Sequence, residues 1–178
     1  IDGMAADYAF LVYGLTELYN ATYRPEVLSA ARELQQDFDA RFWDQKKSGY
    51  FSSPPKNDDL LVRQKDFYDG AIPSANSVAF VNLIRLSHLA GDTAYEKRAD
   101  NLAKIYTPLL TQTPAAYSFF LSGLAAVFGP AASVVIATGD DTPVSDDMTR
   151  ALDRGFHPFT VVLRKTPANA EALSEVAP

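Results

Sequence analysis

The chain has 178 residues, 47% hydrophobic and 21% charged, which suits one core or one core with a small appendage and excludes a disordered tail. Its 16 Lys and Arg against 22 Asp and Glu give a net charge of −6, which excludes the clustered basic surface that a nucleic-acid binder needs. With no Cys, a disulfide framework, a thiol nucleophile and a thiolate-based zinc site are excluded too.

The chain opens Ile-Asp-Gly with no charged-then-apolar signal stretch behind it, and reads as a piece of a longer polypeptide located in the cytoplasm. From Ala5 to Tyr19 nearly every position is apolar, which predicts a helix covered on most of its circumference. Thr22 to Pro25 forms a turn, with Pro25 suited to a first helical position. Val27, Leu28, Ala31, Leu34, Phe38 and Phe42 then make one stripe of a water-facing helix.

The pattern returns 68 positions later, pairing Leu15 with Leu83, Leu18 with Leu86, Val27 with Tyr95, Ala31 with Ala99, Leu34 with Leu102 and Phe38 with Tyr106. Ser77 to Ala90 predicts a second broadly apolar helix. A one-sided helix follows from the capping box Thr93-x-x-Glu96 to Leu110, and a third apolar helix, Ala115 to Val127, follows Pro114. The uncharged run from Ile105 to Gly139 is not a membrane span, because Pro108, Pro114, Gly129 and Pro130 interrupt it.

After residue 130 the pattern turns to strand (Ser133 to Ala137), turn (Thr138 to Pro143), helix (Val144 to Asp153) and strand (Phe159 to Leu163). The turn at Gly139 lacks a phosphate-binding fingerprint, and Asp140 and Asp141 would repel phosphate. The expected architecture is mainly α: residues 1–130 as helical hairpins of an α/α toroid, and 131–178 as a small β-α-β appendage. In such a ring the inner helices run the same way and their N-termini share one mouth.

The segment from Arg63 to Ser77 concentrates carboxylates, cations, a phenol, an amide and hydroxyls ahead of the second inner helix, where a polar small molecule would meet backbone N–H groups. Asp7 and Asp69 are the candidate general acid and base, a role that needs two carboxylates about 5–10 Å apart. Tyr8, Trp43, Arg63, Lys65, Tyr68, Ser74, Asn76 and Ser77 are candidate substrate-binding residues, with Tyr50 and Phe51 as further stacking faces. Each has a plainer reading. Asp69-Gly70 makes a turn, Lys65 is solvated, the aromatic residues are core, and Ser74 caps the helix beginning near Ala75. His88 and His157 have no partners at metal-ligand spacing, so neither a metal nor a cofactor is expected.

Asp7-Tyr8-Ala9, Phe42-Trp43-Asp44, Gly49-Tyr50-Phe51, Leu61-Val62-Arg63 and above all Lys65-x-x-x-Asp69-Gly70-Ala71-x-Pro73-Ser74-x-Asn76-Ser77 resemble the C-terminal half of the spermatogenesis-associated protein 20 family. The resemblance implies an N-terminal thioredoxin-like domain, absent here, and a six-hairpin toroid similar to N-acylglucosamine 2-epimerase, of which this chain supplies the last hairpins. Gln64 stands where proline is expected and Ala75 where glycine is usual. The epimerases use histidine pairs, and no histidine falls in the dense motif.

Three readings follow. The first is a toroid that binds or modifies a carbohydrate, in the manner of a sugar epimerase. The second is a non-catalytic scaffold or client-recognition module for the thioredoxin-like domain. The third is a glycoside hydrolase. The expected partners are a small molecule such as a sugar and the rest of the parent chain, with no nucleic acid and no membrane. Incomplete inner faces also predict self-association.

Overall fold

The computed structural model describes residues 3–55, 62–139 and 143–177, so Leu61, Asp140 and Asp141 lie outside the described residues. Helix α1 (Ala5–Thr22) turns at Tyr23, whose φ of 54° is left-handed, into α2 (Pro25–Phe42), with Pro25 in its first turn. Helix α3 (Ala75–Ala90) ends at Gly91, φ 64°, a conformation that only glycine adopts at little cost, and α4 (Thr93–Gln112) follows at once. The expected capping box at Thr93 does not form. Asp92 caps α4 instead, its carboxylate accepting from the Ala94 N–H, because one residue earlier already has the extended backbone of a cap.

A 3-10 turn (Pro114–Tyr117) leads into α5 (Ser118–Phe128), so the third apolar helix starts three residues later than its pattern predicts. Strand β1 (Ala132–Ala137), helix α6 (Pro143–Asp153) and strand β2 (Thr160–Lys165) form the expected strand-helix-strand unit, the strands pairing in parallel with Ala132 opposite Thr160. A last helix, α7 (Ala170–Val176), is too short to announce itself by periodicity. Among the described residues no helix is long and apolar enough to cross a membrane.

Helix α3 is the centre of the molecule and packs against α1, α4 and α5, while α2 lies behind α1. Asn82 donates to the Ala9 carbonyl and Arg85 pairs with Glu17, so contacts advance together along α3 and α1, and both helices run the same way. The outer helices α2 and α4 meet through the Asp39–Arg98 ion pair at 3.5 Å. One apolar cluster joins residues of the helices to Val161 of β2 and Leu173 and Val176 of α7. Arg32 of α2 donates to the Val176 carbonyl at 2.6 Å and fastens α7 to the helical layer.

The 68-residue repeat is real in the outer helices, where Val27, Ala31 and Phe38 of α2 and Tyr95, Ala99, Leu102 and Tyr106 of α4 are buried. Its ends carry matching stacks, Phe38 on Tyr50 at 4.1 Å and Tyr106 on Phe120 at 3.7 Å. It is poorer in the inner helices. Leu83 and Leu86 are buried, but Leu18 is 48% exposed and Phe10 and Leu11 are exposed in part, since α1 packs chiefly on α2 and α3.

Candidate functional site

Residues 43–55 and 62–74 lie across the N-terminal ends of α1, α3 and α5. The first stretch starts in a tight hairpin: the Asp44 carboxylate accepts from the Lys46 and Lys47 N–H groups, Gly49 has φ 79°, and Trp43 bridges to Tyr50. A side chain at Gly49 would sit 3.2 Å from the Phe67 ring, so the turn needs glycine for conformation and for space. The loop then meets α1, where the Ala5 N–H donates to the Ser52 carbonyl at 3.1 Å.

The dense motif places its polar groups inward. Asp69 is buried and both of its oxygens are engaged: Oδ1 accepts from the Ser74 N–H at 2.9 Å, and Oδ2 from the Phe119 and Phe120 N–H groups at 2.9 and 3.2 Å. The last two are unpaired first-turn donors of α5, so Asp69 caps a helix 50 residues away while it closes its own turn. The plainer reading of this residue, a turn former, therefore describes half of what it does.

Asn76 uses its whole amide. Its Oδ1 accepts from the Tyr50 N–H at 2.7 Å, and its Nδ2 donates to the carbonyls of Tyr50 at 2.9 Å and Asp66 at 2.8 Å. Ser74 caps α3 as its position predicts, accepting from the Ser77 N–H at 3.1 Å. Ser77 Oγ lies 2.8 Å from the Tyr106 hydroxyl, which burial pushes well above its ordinary pKa.

The cations are likewise held. Lys65 Nζ pairs with Asp44 at 2.7 Å, and its hydrogen bond is the main reason the Asp44 carboxyl falls to about 2. Arg63 donates to the carbonyls of Ser53 and Arg41 and lies 4.1 Å over the Phe51 ring. Trp43 packs edge-on against the fully buried Tyr50. Tyr8 donates to Asp37 at 3.0 Å, and Asp7 accepts from the Met4 N–H at 2.7 Å in the first turn of α1. Of the expected stacking residues, Tyr68 is the one with a largely open ring, 61% exposed over Gly70.

Beneath the loop, Asp39 is buried in α2, accepting from the Tyr50 hydroxyl at 2.5 Å and the Gln35 amide at 2.8 Å, with Arg98 beyond. Burial raises its carboxyl above the ordinary value against these favourable partners. Among the described residues no group of three or more His, Cys, Asp or Glu could hold a metal ion.

Away from the dense motif lies a second place, a cavity of about 330 Å³ between α1, α3, α5 and the segment entering β2. Tyr13, Phe119 and Phe159 contribute aromatic wall, and Arg85 and His88 are its basic members. One signal for it was present: Arg85 is the single fully charged residue from Ser77 to Ala90, on a helix that is otherwise broadly apolar.

No protein-family model matches the chain. It is 37% identical over 156 residues to spermatogenesis-associated protein 20 of Rattus norvegicus, covering 87% of this chain and 19% of that protein. The human protein of the same name is 37% identical over 125 residues, covering 70% of this chain and 16% of its own length. An uncharacterised protein of Caenorhabditis elegans is 35% identical over 116 residues, covering 65% of this chain and 16% of that protein. The chain thus spans less than a quarter of the length of these relatives.

Proposed function

The chain is homologous to one stretch of the spermatogenesis-associated protein 20 family, and on that premise we propose that it is a non-catalytic helical framework. In the longer relatives it would orient the expected thioredoxin-like domain or recognise clients for it. The observation that supports this reading is the direction in which the dense motif spends its polar groups. Both oxygens of Asp69, the whole Asn76 amide, the Ser74 and Ser77 hydroxyls and the Lys65 ammonium all bond to other groups of the same chain. A general acid or base needs an oxygen that reaches substrate, and Asp69 gives both of its oxygens to backbone N–H groups.

Carbohydrate binding is the second reading, and the open ring of Tyr68 favours it, since an exposed aromatic face at a polar loop suits a sugar ring. Thermal-shift measurement against mono- and disaccharides separates the two, because a ligand that binds the native state raises its melting temperature. The framework reading predicts no shift with any sugar. A shift that Tyr68→Ala abolishes would overturn it and call for assays of epimerisation and hydrolysis.

A further inference from the structure

Beyond the framework reading, we infer that the cavity between α1, α3, α5 and the entry to β2 is a binding site for a small amphiphilic anion, with an apolar body and one acidic head. The size is suitable: about 330 Å³ lies at the lower end of what drug-sized ligands occupy. The apolar body is accommodated by Tyr13, Phe119 and Phe159. Gly123 forms part of the wall, and its missing side chain lets α5 come close to Phe80 and Val81 of α3, which fixes the cavity's floor.

The charge pattern selects the head. Arg85 is the cationic side chain of this wall, which among the described residues carries no carboxylate, while its ion-pair partner Glu17 lines the adjoining space. Arg85 also borders an adjoining cavity of about 280 Å³, lined by Glu17, Asn20 and His157, so the space becomes polar on the far side of its guanidinium. An acidic head would lie at this junction, sharing Arg85 with Glu17, while the apolar body stays among the rings. Tyr13 lies against the guanidinium, 4.9 Å from ring centroid to Cζ, and holds it at the boundary between the two spaces.

The test uses two probes of nearly the same shape, 8-anilinonaphthalene-1-sulfonate and its uncharged counterpart N-phenyl-1-naphthylamine, titrated by fluorescence and calorimetry. The sulfonate is expected to bind saturably at one site. Arg85→Gln is expected to weaken it roughly ten-fold, the scale of one lost charge-assisted hydrogen bond, and to leave the uncharged probe unchanged. Ser122→Trp, which fills the cavity, is expected to abolish both. Cooperative melting is checked for each variant. Unsaturable binding, or a sulfonate affinity that neither variant alters, would overturn the assignment. Equal loss of both probes in Arg85→Gln with the fold intact would overturn the role given to the acidic head.

Discussion

Asp69 shows how one side chain can join segments far apart in sequence. Its two oxygens take three backbone N–H donors, one in its own turn and two at the start of α5. Asp69→Asn preserves shape but turns an amide N–H₂ toward at least one of these donors. We predict a loss of about 2–4 kcal/mol in urea denaturation, the scale of lost charge-assisted bonds plus a buried donor left unpaired. Asp39 gives a prediction in pH. Its carboxyl is raised above the ordinary 3.8, chiefly by burial, so the folded chain holds this proton more tightly than the unfolded one. The resulting stability is full below about 3.8 and is lost as pH rises through the higher folded value. Asp39→Asn keeps the acceptor for Tyr50 and Gln35 and removes the titration. The advantage of the native residue over the variant should therefore grow between pH 7 and about pH 4, measured from urea midpoints at both.

At the scale of elements, the contact of α3 with α5 depends on a missing side chain. A Cβ at Gly123 would lie 2.7 Å from Phe80 Cδ1 and 3.0 Å from Val81 Cγ2. Gly123→Ala should therefore lower stability by about 1–3 kcal/mol despite the better helix propensity of alanine, and a smaller ring at Phe80 should recover part of it in a double-mutant cycle. Helices α2 and α4 were legible in sequence because one buried stripe at 3.6 spacing survives any choice of neighbour, and Pro25 marks the start of α2 locally, as Ser74 does for α3. The cap of α4 was misplaced by one residue because Asp92 and Thr93 are both good caps, and backbone geometry chooses between them. Asp69 was visible as a motif residue, but its partners at Phe119 and Phe120 were not, because no local spacing links a loop to a helix start 50 positions on. The cavity was illegible for the same reason, being assembled from four segments.

At the scale of the whole molecule, residues 43–55 and 62–74 act as a clasp over three helix N-termini. The clasp holds α1 through Ser52, α3 through Asn76 and Ser74, and α5 through Asp69. Its bonds are cooperative in consequence: loosening one end frees backbone groups at the others. Hydrogen exchange followed by mass spectrometry, comparing the native chain with Asp69→Asn, tests this claim most directly. The account predicts that amide protection falls together at Ser74 to Val78 and at Phe119 to Gly123, in two peptides distant in sequence. Unchanged protection at both, alongside loss of sugar binding in the same variant, would contradict it and return Asp69 to a role at a ligand.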